Sequence, residues 1–181
     1  MNNRKIIIGI AAMIGLVVIL LIIGMTDSYS SLRLSDLEEL TIKEKVARLE
    51  ESLDEEDITY AAIYGDRLIY GNDKEDYEYD LNQFYLSFAP YINQTHPCAN
   101  HNLITCRAEL KNKTFHVVVK DSNGQVIREG DYTTYSNGFA GIWLPKNIEG
   151  TIAVTYGDLT ATANIETYDN SNTCLTTLKL S

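Results

Sequence analysis

The sequence predicts an α+β protein with an N-terminal transmembrane helix, a small helix-plus-strand N-terminal part, and a C-terminal antiparallel β-sandwich-like domain that carries the cysteines. Three observations predict it. An uncharged apolar run fills residues 6–25, helix-capping signals are confined to residues 34–57, and short β-favouring runs separated by turn residues occupy nearly everything after Thr105.

Residues 1–5 carry Arg4 and Lys5 and read as a short cytoplasmic tail. At a rise of about 1.5 Å per residue, the run from Ile6 to Met25 spans about 30 Å, the thickness of a bilayer's hydrocarbon core. Basic residues precede the run and acidic ones begin after it at Asp27, which leaves the N-terminus in the cytoplasm and the rest of the chain outside. The stretch IIGMTDSYS offers no small-residue cleavage site and no cysteine to take a lipid. The expectation is therefore a single-pass anchor in the cell membrane, with a cleaved signal peptide the competing reading, and on either the body is exported.

That body divides into an N-terminal α+β part, 26–90, and a C-terminal β-rich part, 91–181. The formal net charge of the chain is −10, and the tail holds two of its positive charges, so the exported part is strongly acidic. Such a surface is soluble and excludes nucleic acid and anionic lipid headgroups as partners.

In the N-terminal part, SDLE and TIKE each fit a capping box, with Ser35 and Thr41 answered three residues on by Glu38 and Glu44. Ile42, Val46, Leu49 and Leu53 then form an apolar stripe at helical spacing. The acidic run Glu50 to Asp57 reads as the solvated end of that helix. ITYAAIYGDRLIYGN reads as a β-hairpin turning at Gly65 and Asp66, and DKEDYEYD as a polar connection. FYLSFAPYINQTHPC carries a strand into a loop broken by Pro90 and Pro97.

Beyond Thr105, runs such as TFHVVVK, GQVIREG, FAGIWL, TIAVTYG and LTATANIET alternate with Gly, Asn and Pro turns, the pattern of a sandwich or barrel. Period-two alternation puts Ile104, Cys106, Ala108 and Leu110 on one strand face, and Cys174, Thr176, Leu178 and Leu180 on another. Cys98, His96 and His101 belong to the loop that enters the first of these strands. His116 reads as a half-exposed structural residue and Trp143 as core.

The stretch HPCANHNLITC concentrates two of the three cysteines and two of the three histidines. Outside the cytoplasm a disulfide is the default, but three cysteines leave one thiol over. Zinc needs four closed ligands, which Cys98, His101, Cys106 and Cys174 would supply at spacings that match no zinc-finger pattern. Copper suits the residues better, because Cu(I) is soft and favours two or three sulfurs. No Ser-His-Asp signature, phosphate-cradling glycine loop or H-E-x-x-H motif is present.

FYLSFAPYINQTHPC, the C-x2-H-N-L-x-T-C-x-x-E-L pattern from Cys98 to Leu110, NGF-x-x-x-W-L-P from Asn137 to Pro145, and the terminal TCLTTLKL together resemble the bacterial periplasmic copper-binding CueP family and its Gram-positive relatives. The resemblance runs from about Leu34 to Leu180. It implies a protein that sequesters copper, assists the reduction of Cu(II) to Cu(I), and passes the ion to an acceptor such as an exported superoxide dismutase. It also implies an N-terminal helix-and-strand part, a β-rich part bearing the cysteines, and a capacity to form homodimers. The family's three cysteines fall on Cys98, Cys106 and Cys174. The anchor departs from the periplasmic form with a cleavable signal.

Thiol chemistry adds an electron count. Oxidising two thiolates to a disulfide releases two electrons and reducing one cupric ion takes one, so one cysteine pair serves two ions before a thiol-disulfide oxidoreductase must restore it. Cys106 and Cys174 are the expected redox pair, with Cys98 to Cys106 an open alternative. Cys98, Cys106, Cys174, His101 and His96 are the expected copper ligands, with zinc as a substitute metal. The competing reading is a cell-surface β-sandwich binding or stalk module whose disulfide is structural. A protein-directed thiol-disulfide oxidoreductase ranks below both, since the chain lacks a C-x-x-C motif.

Overall fold

The computed structural model describes residues 31–181. The expected tail and anchor lie outside the described residues, and among those described no helix is long and apolar enough to cross a membrane. The chain enters through a 3-10 turn, Leu34–Leu37, and then forms α1, Ile42–Glu51. Thr41 caps α1 as its sequence asks. Its Oγ1 accepts from the Glu44 N–H at 3.4 Å, while Glu44 Oε2 accepts from the Thr41 N–H at 2.8 Å. The box expected at Ser35 does not form. A single 3-10 turn includes Ser35, and it is capped two residues earlier, by Arg33 N–H donating to Asp36 Oδ2 at 3.0 Å. Helix α1 also ends sooner than the apolar stripe, so Val46 and Leu49 are buried whereas Leu53 is 43% exposed.

The expected hairpin is present as β1, Tyr60–Ile63, and β2, Arg67–Gly71, in antiparallel register. DKEDYEYD is not a polar connection. Its second half is β3, Asp76–Asp80, whose alternating tyrosines face inward along β2, with Tyr77 opposite Tyr70 and Tyr79 opposite Leu68. The first sheet runs β3-β2-β1-β5, where β5 is only His101–Asn102 and pairs His101 with Ile63.

The second sheet is fully antiparallel in the order β10-β9-β6-β7, built from β6, Thr114–Asp121, β7, Val126–Thr133, β9, Glu149–Tyr156, and β10, Leu159–Glu166. The third, β11-β4-β8, joins β4, Phe84–Phe88, to β8, Ala140–Leu144, and to the two-residue β11, Cys174–Leu175. Strand β11 lies parallel to β4, so this sheet is mixed rather than antiparallel. Beyond β11 the predicted alternation holds, with Thr176, Leu178 and Leu180 buried and Thr177 and Lys179 exposed.

ITCRAEL, in contrast, is not a strand. The Asn102 side chain accepts from the N–H groups of Ile104 at 3.2 Å and Thr105 at 2.9 Å, folding the chain into a turn before any ladder forms.

Two apolar cores result. One is sandwich-like, and packs Phe84, Leu86 and Phe88 of β4 and Ile142 and Leu144 of β8 against Phe115, Val117, Ile152 and Val154 of the second sheet. The other packs Val46 and Leu49 of α1 against Ile63, Leu68 and Tyr70, together with Tyr85 from the opposite face of β4. Strand β4 therefore serves both cores, and residues 31–181 make one unit. Because α1 enters this packing through a short capped helix, replacing Thr41 by Ala should lower unfolding stability by about 1 kcal/mol. The check is a lower denaturant midpoint at unchanged slope.

Candidate metal centre

Three local features bring the sulfurs together. The β11 start is held by β4 through Ser87 N–H donating to Thr173 O at 2.8 Å. The loop 98–101 is drawn across it by Cys174 N–H donating to Ala99 O at 3.0 Å, and by His101 N–H donating to Thr173 Oγ1 at 3.0 Å. The turn at Asn102 then returns the chain, with Cys106 N–H donating to Asn102 O at 3.2 Å.

Cys98 and Cys174 are joined as a disulfide, with Cα atoms 5.7 Å apart, inside the ordinary range for such a bridge. Cys106 is the remaining thiol. This pairing differs from both Cys106 to Cys174 and Cys98 to Cys106. The physical reason lies in the backbone: the expected strand carrying Cys106 is a turn, and the loop bearing Cys98 is the segment pinned to β11. Cys106 is nonetheless close, its Sγ 3.9 Å from Cys98 Sγ. His101 Nδ1 lies 3.6 Å from Cys174 Sγ.

The ligand atoms of Cys98, His101, Cys106 and Cys174 all lie within 4.8 Å of one another. Donors around one tetrahedral ion with bonds of about 2.3 Å stand about 3.8 Å apart, so small side-chain rotations close the group on a metal once the disulfide is reduced. Three sulfurs and one imidazole form a soft donor set. Phe139, fully buried, walls the group with its ring centroid 4.6 Å from that of His101. Ala89 and Ala108 complete the apolar lining.

Beneath His101 lies a residue that sequence reasoning placed in solvent. Glu50, in the last turn of α1, is 0% exposed. A carboxylate at a helix C-terminus gains nothing from the helix dipole, and its burial is met by side-chain donors. Tyr85 Oη donates at 3.1 Å and Ser87 Oγ at 3.0 Å to Oε1, and Asn137 Nδ2 at 2.7 Å to Oε2. His101 Nε2 stands 3.0 Å from Oε1. It lies off the N–H axis, making no directed hydrogen bond, so the contact is Coulombic. One signal marked Glu50: it falls four residues after Val46 and one after Leu49, on the stripe that faces inward.

The NGF motif is explained by the same site. Asn137 holds Glu50 and, through Oδ1, accepts from Phe139 N–H at 2.8 Å, while Phe139 packs on His101. Gly138 has φ +90°, and a Cβ there would stand 2.5 Å from Ala108 O, so this close turn takes no larger residue.

His96 is not brought into the group. Its Nε2 lies 3.0 Å from Arg107 O, and it lines a groove of about 500 Å³ beside the cluster with Tyr91, Arg107 and Lys111. The disulfide opens to a separate cleft of about 330 Å³ with Asn164, Ser171, Asn172 and Thr176. His116 is 47% exposed between Glu129 and Asp131, a surface ion pair. Trp143 is partly buried against Tyr85, their centroids 4.9 Å apart.

Burial pulls the His101 imidazolium down, but the Glu50 charge, with contributions from Cys106, outweighs it and raises the pKa to about 9. Reciprocally, burial pushes the Cys106 thiol up, and the His101 imidazolium beside it more than compensates, leaving it below its ordinary value. In the metal-free protein the Glu50–His101 pair therefore contributes stability that is complete below the unfolded histidine value of 6.5 and is lost as pH rises through about 9. Imidazole NMR should show His101 titrating near that value. In Glu50→Gln, where burial acts without the largest compensating charge and only Cys106 still opposes it, the titration should move down from about 9.

No curated protein matches the chain. A solved structure described as the crystal structure of S.CueP is 42% identical, with a TM-score of 0.76, and the match covers 81% of this chain and 92% of that one. The family described as periplasmic copper-binding protein CueP matches residues 44–179, a span that takes in Glu50, every strand and the whole Cys98, His101, Cys106 and Cys174 group. The chain belongs to the CueP family.

Proposed function

We propose that this protein binds copper outside the cytoplasm through Cys98, Cys106, Cys174 and His101, assists its reduction to Cu(I), and passes it to an acceptor protein. The observation that carries the reading is the meeting of three sulfurs and one buried imidazole within 4.8 Å. Thiolate-rich donor sets favour Cu(I) over Cu(II), so binding there drives reduction as well as capture. Zinc, which accepts the same ligands, is the substitute metal.

In the pairing observed here, Cys98 and Cys174 supply the electrons. Their two thiolates lose two electrons in forming the bond, and two Cu(II) ions take one each to become two Cu(I). Cys106 and His101 remain as a sulfur and nitrogen pair for one of the two product ions, and the other is released to the acceptor. A thiol-disulfide oxidoreductase then returns the bridge to dithiol, reaching it through the cleft at Cys98 and Cys174. Tyr85, Ser87 and Asn137 satisfy the buried Glu50 carboxylate by hydrogen bonds, and its charge in turn attracts the imidazole. Residues 6–25 tether this body to the membrane, and its acceptor is an exported copper enzyme of the superoxide dismutase kind. A homodimer is compatible with either role.

The second reading, a surface module stapled by a structural disulfide, draws on the same Cys98–Cys174 bridge. One experiment separates them. Reduced residues 26–181 are titrated anaerobically with Cu(II) in the presence of a Cu(I)-specific chromophore while free thiols are counted. The copper reading predicts that thiols disappear one for one with Cu(I) formed, and that Cys98→Ser, which removes the sulfur closest to both of the others, abolishes the two-thiol loss. An inert disulfide that forms in air, with no Cu(I), would establish the staple.

A further inference from the structure

The three sulfurs are arranged for more than one linkage. Cys106 Sγ lies 3.9 Å from Cys98 Sγ, the sulfur already bonded to Cys174. Thiol-disulfide exchange needs a thiolate within reach of a disulfide sulfur and a leaving thiolate with somewhere to go. Both conditions are met. Cys106 is half-buried and carried by a segment without ladder bonds, so its side chain can turn about a backbone held by Asn102 without breaking strand pairing. Cys174, once released, lies 3.6 Å from His101 Nδ1, a donor in the imidazolium.

We propose that Cys106 is an internal exchange nucleophile, which moves the disulfide from Cys98–Cys174 to Cys98–Cys106 with Cys98 as the shared pivot. The Cys106 thiolate attacks Cys98 Sγ, the Cys106–Cys98 bond forms, the Cys98–Cys174 bond breaks, and Cys174 leaves as the thiolate. One thiolate and one disulfide are present before and after, so no outside oxidant or reductant is consumed. The four ligand atoms are compactly clustered rather than strung in a line, so in-line attack requires a side-chain rotation that sets the Cys106 sulfur opposite Cys174 across Cys98.

The two linkages present different ligand pairs, and here the inference rests on the copper reading. With Cys98–Cys174 closed, the available sulfur beside His101 is Cys106, at the half-exposed rim. With Cys98–Cys106 closed, it is Cys174, which is 5% exposed. Exchange thus converts a rim site, suited to handing an ion on, into a buried site suited to keeping it. Both cysteines of the second linkage are half-exposed, which also brings the bridge within reach of a bulky protein dithiol.

The test uses metal-free oxidised protein, so its outcome is independent of whether copper binds. The sample is held at mildly alkaline pH, quenched in acid, denatured, labelled with a maleimide and mapped by peptide mass spectrometry, beside a sample kept acidic throughout. Both linkages are expected, with Cys174 labelled in at least about a tenth of chains, as a bridge up to tenfold less stable would give. Oxidised Cys174→Ser should form the Cys98–Cys106 bond, and Cys106→Ser should show Cys98–Cys174 alone. Label confined to Cys106 at every time point would overturn the proposal, as would a folded Cys174→Ser protein that keeps two free thiols on oxidation. Loss of copper binding by the reduced protein would instead overturn the copper reading and leave this result standing.

Discussion

The buried Glu50–His101 pair is the constraint on which the site depends. A carboxylate with no exposed surface and an imidazole equally buried meet at 3.0 Å. Taking two such groups from water costs several kcal/mol each, and their attraction offsets this only where further donors complete the shell. Here Tyr85, Ser87 and Asn137 do so, drawing β4 and the loop before β8 onto the end of α1. The pair thereby joins the two apolar cores at the point where the sulfurs gather. With Nε2 beside Glu50, the imidazole packs on Phe139 and turns Nδ1 toward Cys174.

The same arrangement links fold to chemistry. Cys174 comes from a segment far in the chain from Cys98, His101 and Cys106, and hydrogen bonds hold these segments: Thr173 O to Ser87 of β4, Thr173 Oγ1 to Ile63 of β1, Cys174 to Ala99, and Cys106 to Asn102. Little of the site's geometry is left to loop freedom. Even the exposed approach is tied down, since Glu109 accepts from the N–H groups of Ile92, Asn93 and Gln94 at 2.9 to 3.2 Å. Those bonds hold the Glu109 carboxyl down at about 2. The loop leading to Cys98 is therefore secured by a charge that persists through any ordinary acid exposure.

Much of this was legible in the sequence. The hairpin at Gly65, the sandwich strands and the inward face of Cys174, Thr176, Leu178 and Leu180 follow from period-two patterning and turn residues. The four clustered side chains are all candidates by residue type and by the CueP resemblance, along with His96, while their spacing matches no metal pattern. What was not legible involved long-range competition. Glu50 looked solvated because its neighbours are acidic, and only its place on the helical stripe marked it as buried. ITCRAEL has strand periodicity, but Asn102 captures the N–H groups that a strand would need. DKEDYEYD looks polar in one dimension, yet its alternate tyrosines stack beside β2, with Tyr77 and Tyr79 centroids 5.3 and 5.9 Å from that of Tyr70. Disulfide pairing follows from which loop is pinned to β11, and no spacing rule contains that.

The central claim is that copper is held by the sulfurs above Glu50 and His101. X-ray absorption at the copper edge, on reduced protein loaded anaerobically with one equivalent, reads the ligands directly. The account predicts a Cu(I) edge and a first shell dominated by sulfur at about 2.3 Å, with a minor imidazole component that persists in His96→Ala and disappears in His101→Ala. A first shell of nitrogen and oxygen alone, unchanged by loss of Cys106 or Cys174, would contradict it.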